Sequence, residues 1–73
     1  MQVTVKLFAQ LRNGRFKVDS MGLNDQARVT DVVEALVIPA EEVAHCLVNG
    51  HDISLNSVIK DGDTIALFPA IGG

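Results

Sequence analysis

Asp61-Gly62-Asp63-Thr64-Ile65-Ala66-Leu67-Phe68-Pro69-Ala70-Ile71-Gly72-Gly73 ends the chain, and its reading decides the fold. Gly62 permits a positive φ, so Lys60 to Asp63 reads as a turn. From Thr64 to Phe68 the chain alternates, with Ile65 and Leu67 on one face and Ala66 and Phe68 on the other. That is a strand with one buried side. Pro69 has no N–H for a ladder and is expected to end the strand. Residues 69–73 are left as a tail that finishes in two residues without side chains.

The opening of the chain supplies a partner. Val3, Val5 and Leu7 alternate with Gln2, Thr4 and Lys6, which reads as a second half-buried strand. Asn13-Gly14 is a strong hairpin signal, and Arg15 to Val18 is expected to return antiparallel. Asp19 to Ala27 reads as a loop. Thr30 is the expected helix N-cap, with Asp31 in the first turn. Val29, Val32, Val33 and Leu36 fall on one helical stripe, and Pro39 stops the helix near Val37. A further short turn is expected over Ala40 to Ala44. Cys46-Leu47-Val48 reads as a short strand followed by a second turn signal, Asn49-Gly50. Ile53, Leu55, Val58 and Ile59 add core in an irregular segment.

The order β-β-α-β-(β)-β asks a one-striped helix to cover a one-faced sheet. The first and last strands are expected to be parallel neighbours at its middle. This predicts an α+β protein with a β-grasp arrangement, a mixed sheet of four to five strands packed on one helix, over residues 1–73 as one domain.

Composition agrees. The 73 residues are 48% hydrophobic and 21% charged, within the range of a folded domain. Nine acidic residues outnumber six basic ones, giving a net charge of −3. Polyanion binding needs clustered cations, so neither nucleic acid nor an anionic membrane is an expected partner. No apolar run approaches the ~20 residues of a membrane span. The alternating first ten residues do not look like a signal peptide. A single cysteine forms no internal disulfide. The expectation is a reduced, cytoplasmic protein.

Two segments resemble a known family. Lys6-Leu7-Phe8-Ala9-Gln10-Leu11-Arg12 looks like the first strand of the molybdopterin synthase small subunit, MoaD. Val48-Asn49-Gly50, Leu55, and Asp61 through Gly73 are similar to that family's closing half. The MoaD/ThiS family consists of ubiquitin-like sulfur carriers. The resemblance implies that Gly73, preceded by Gly72, is the working group. A ubiquitin-activating-type adenylyltransferase would adenylate its carboxylate with ATP, and a sulfur donor would convert it to a thiocarboxylate. The carrier would then deliver that sulfur to a pterin precursor held by the large subunit of molybdopterin synthase. The resemblance implies no bound cofactor and no catalysis by the chain alone. Three residues separate Phe68 from the glycine pair, one fewer than the usual MoaD ending. ThiS shares the glycine pair, so molybdopterin, tungsten cofactor and thiamine all stay open as products. A protein modifier ligated through Gly73 and a plain interaction module are the other readings.

Parity places Phe8 and Phe68 side by side on the exposed face, an expected protein interface with Pro69 and Ile71 as further contacts. Arg12 is a candidate rim cation. His45 and Cys46 are adjacent and should face opposite ways, which argues against a metal site. Cys46 reads as a small core residue.

Overall fold

The computed structural model describes residues 1–70. Five strands and one α-helix follow in chain order: β1 (Gln2–Leu7), β2 (Val18–Gly22), α1 (Val29–Ala35), β3 (Val43–Val48), β4 (His51–Asp52) and β5 (Thr64–Pro69). Short 3₁₀ turns occupy Ala9–Arg12 and Ala40–Glu42. The sheet order is β2-β1-β5-β3-β4. β1 and β5 are parallel, with Val5 opposite Ile65 and Leu7 opposite Leu67. All other pairings are antiparallel. The mixed sheet on one helix is the β-grasp expected from the sequence.

Alternation explains the core. Val3, Val5 and Leu7 from β1, Ile65 and Leu67 from β5, and Cys46 and Val48 from β3 all point inward and are buried. Val29, Val32 and Val33 close over them from α1, joined by Leu11, Ile38 and Ile59. Each such side chain contributes on the order of 1.5–3 kcal/mol as an upper estimate.

The first connection departs from the expected hairpin. β2 starts at Val18, not Arg15, and Asp19 to Gly22 is strand where a loop is expected. A type I′ turn needs positive φ at both central residues, but Asn13 has φ −62. The chain instead coils through Ala9–Arg12 so that Leu11 reaches the core. Burying that leucine outweighs a tight turn. At Asn49-Gly50 the φ values are 53 and 84, and the expected I′ turn forms between β3 and β4. β3 itself begins at Val43, three residues earlier than expected, with an irregularity at Ala44.

Arg28, not Thr30, precedes the first turn of α1. Asp31 accepts the Arg28 N–H at 2.7 Å, a carboxylate well placed at a helix start. The irregular segment 53–59 supplies the remaining acceptors: Val29 N–H donates to Ser57 O and Thr30 N–H to Leu55 O. Thus Thr30 has no capping work left. Ile59 is buried there, while Val58, expected in the core, is 52% exposed.

α1 ends in a Schellman turn. Ile38 N–H donates to Val33 O at 3.1 Å and Val37 N–H to Glu34 O at 3.0 Å. The geometry puts Val37 at φ 56, where glycine is the usual occupant. Arg15 ties the turn to the first connection, donating from Nε to Leu36 O, from Nη2 to Val37 O and from Nη1 to Leu11 O.

Two outcomes are expected. Left-handed backbone costs a non-glycine residue about 1–2 kcal/mol, more than the ~0.4–1 kcal/mol a new glycine returns to the unfolded chain. Val37→Gly therefore raises Tm by roughly 3–6 °C in thermal unfolding; a lowered Tm contradicts the assignment of strain. Burial, aided by the Asp52 carboxylate, pushes the Cys46 thiol from 9.0 up to about 11. The folded chain then keeps a proton that the unfolded chain releases, so this contribution is complete below pH 9 and is lost as pH rises toward 11. Iodoacetamide should alkylate Cys46 slowly in native protein at neutral pH and quickly in urea.

Candidate functional site

β1 and β5 carry their even-numbered residues on the face away from α1. The pairing of Lys6 with Ala66 and the advance of both strands bring Phe8 and Phe68 together. Phe8 N–H still donates to Leu67 O at 3.2 Å, so the ladder runs one residue past β1. Ala9 then turns away with φ 51. The two rings stack with centroids 4.2 Å apart and planes inclined by 13°. Such pairs contribute about 0.5–1.5 kcal/mol beyond their buried area. Both rings stay half-buried, so one side of the stack faces outward.

Arg12 is drawn into the same cluster. Its Nε donates to Leu7 O at 2.6 Å, and its guanidinium carbon lies 5.4 Å from the Phe8 ring centroid. A cation over an aromatic face is held by the ring quadrupole. Arg12 thus packs on the Phe8 ring and holds positive charge beside the aromatic pair, tied to the backbone at Leu7.

β3 completes the surface with residues the sequence reading did not assign to it. The irregularity between Val43 and His45 lets His45 pair with Phe68 and Leu47 with Ala66. Ala44, His45, Leu47, Phe68 and Pro69 line an apolar depression of about 360 Å³. His45 Nδ1 lies 3.9 Å from Asp52 Oδ2 at its margin. The alternation Cys46-Leu47-Val48 already set Leu47 outward; the irregularity that aims Ala44 has no sequence signal. A larger polar hollow of about 640 Å³ lies around Met1, Gly22 and Asp61, at the start of β1 and away from the end of β5. Its carboxylates Asp31 and Asp61 are occupied by the backbone N–H groups of Arg28 and Gln2. The apolar depression is the better docking feature, because its lining is apolar and includes one ring of the stacked Phe8–Phe68 pair.

Pro69 requires a correction. It is the last residue of β5, opposite Val43, and it is buried. Its lack of an N–H costs little at a strand's end, so the tail starts at Ala70 and Pro69 forms part of the depression's floor. Ala70 is exposed. Ile71, Gly72 and Gly73 lie outside the described residues. His45 and Cys46 do face opposite sides, Cys46 buried and His45 exposed. Among the described residues no three His, Cys, Asp or Glu side chains gather as a metal site.

Comparison with known proteins is consistent with this architecture. SAMP1 from Haloferax volcanii has a TM-score of 0.80 at 26% identity, over 100% of this chain and 99% of that one. A molybdopterin converting factor subunit 1 from Pyrococcus furiosus gives 0.76 at 29% identity, over 97% and 99%. The complex of subunits 1 and 2 of the molybdopterin-converting factor from Helicobacter pylori contains a chain that gives 0.67 at 26%, over 100% and 99%. No curated protein matches the sequence. The Mut7-C ubiquitin profile matches residues 1–72, and the chain belongs to this ubiquitin-like family.

Proposed function

We propose that the chain is a sulfur carrier whose Gly73 carboxylate is the reacting group. The observation that carries this reading is positional. A central strand, β5, runs past the stacked Phe8–Phe68 pair to Pro69, which lines an exposed apolar depression, and the sequence continues from there as Ala70-Ile71-Gly72-Gly73. The similarity to molybdopterin converting factor subunits supports it.

The chemistry suits such an end. A carboxylate is anionic at neutral pH and resists nucleophiles. In the proposed cycle a ubiquitin-activating-type adenylyltransferase lets it attack the α-phosphorus of ATP, which forms an acyl-adenylate and releases pyrophosphate. Sulfide then forms a C–S bond as the C–O bond to AMP breaks, leaving a thiocarboxylate. Gly72 and Gly73 lack Cβ atoms and permit close approach of the backbone to a partner's reacting groups. Phe8, Phe68 and Arg12, with Ile71, dock the body. Molybdopterin synthesis is the preferred pathway, with a pterin precursor held by the large synthase subunit as sulfur acceptor; thiamine synthesis is the neighbouring option.

Similarity to SAMP1, a small archaeal modifier protein, favours one second reading: ligation of Gly73 to lysines of other proteins. Mass spectrometry decides between them after incubation with the activating enzyme, ATP and sulfide. The carrier reading predicts exchange of one oxygen for sulfur at Gly73, abolished when Gly73 is deleted. Isopeptide-linked conjugates with no thiocarboxylate would overturn it in favour of the modifier.

A further inference from the structure

The slot that the α1 Schellman turn forces into the left-handed region is occupied by a β-branched residue. Val37 has φ 56 and is 80% exposed. A lone exposed valine is ordinary; one at positive φ is an outlier. The turn gains nothing from this side chain. Its hydrogen bonds come from backbone groups, and its apolar contact is made by Val33 and Ile38, both buried. The isopropyl group carries strain without a return inside the chain, as expected of a side chain kept for an outside contact.

Position and charge define that contact. The segment after α1 leads into Val43, which pairs with Pro69 at the end of β5. Arg15, just after the Ala9–Arg12 turn that packs against β5, donates to Leu36 O and Val37 O, so Val37 sits on the same side of the fold as that turn. Exposed Glu34 precedes the Schellman turn on α1, and exposed Glu41 and Glu42 follow it in the 3₁₀ turn that packs against α1. Arg15 is the cation packed against the Schellman turn, and its Nε, Nη1 and Nη2 are all directed at backbone carbonyls. The surface is an apolar knob with a negative border. It differs from the aromatic sheet face, where Arg12 and Lys6 supply positive charge.

An enzyme that joins the chain's carboxylate to ATP must hold two anions together, and it gathers cations around the triphosphate. An acidic border of this kind is complementary to such a mouth. We infer that Val37, bordered by Glu34, Glu41 and Glu42, docks in an apolar pocket edged by Lys or Arg on the enzyme that activates the tail. This rests on the reading of Gly73 as the activated group and adds a second contact surface to it.

The test is ATP–pyrophosphate exchange by the source organism's activating enzyme, with the carrier as the varied substrate. Val37→Gly keeps the fold, so its effect reports docking. It should raise KM for the carrier about tenfold with kcat unchanged, as loss of a buried apolar anchor does. The double variant E41K/E42K should raise KM most at low salt and flatten its salt dependence. Equal KM values for wild type and Val37→Gly overturn the inference while the carrier reading stands. E41K/E42K kinetics equal to wild type at every salt concentration overturn the basic pocket. A wild-type chain that supports no exchange overturns the carrier reading and the inference together.

Discussion

Parallel pairing between the first and last strands is the contact on which the rest of the molecule depends. Val5 faces Ile65 and Leu7 faces Leu67 across it, and all four are buried beneath α1. A parallel pair cannot be joined by a tight turn, so everything between Leu7 and Thr64 serves as its crossover. β2 and β3 then flank the pair as the neighbours that satisfy its outer edges. With a core this small, opening the central pair would expose most of it.

That one pairing also assigns the two faces of the sheet. Register fixes Leu7 and Leu67 inward, so the next residues, Phe8 and Phe68, must emerge together on the other side. Their stacking, the cation held over Phe8 by the Leu7 carbonyl, and the depression beside Leu47 follow from the same alignment. Because β5 is central, the chain leaves from the middle of a rigid edge and not from a fraying border.

Much of this was legible in the residues. Alternation in Gln2–Leu7 and Thr64–Phe68 identified the central strands, their inward sets and the aromatic pair. The stripe Val29, Val32, Val33 located the helix. What escaped the sequence was decided by tertiary competition. Asn13-Gly14 carries the chemistry of a hairpin turn, but Leu11 needed the core and reshaped the connection. Thr30 is a better intrinsic cap than Arg28, yet Ser57 and Leu55 already supplied the acceptors from a distant segment. Pro69 reads as a strand breaker, but at the last ladder position its missing N–H is tolerated and its ring is buried. Nothing in a valine announces a left-handed backbone, so the feature at Val37 belongs to the structure alone.

The central claim is that the acyl group of Gly73 is the group on which a partner acts. Hydroxylamine trapping tests it most directly: the chain is incubated with the activating enzyme, ATP and hydroxylamine, and its C-terminal peptide is then sequenced by mass spectrometry. The account predicts a hydroxamate on Gly73, formed only when ATP is present. An unmodified Gly73, or a hydroxamate carried on an aspartate or glutamate side chain instead, would contradict it.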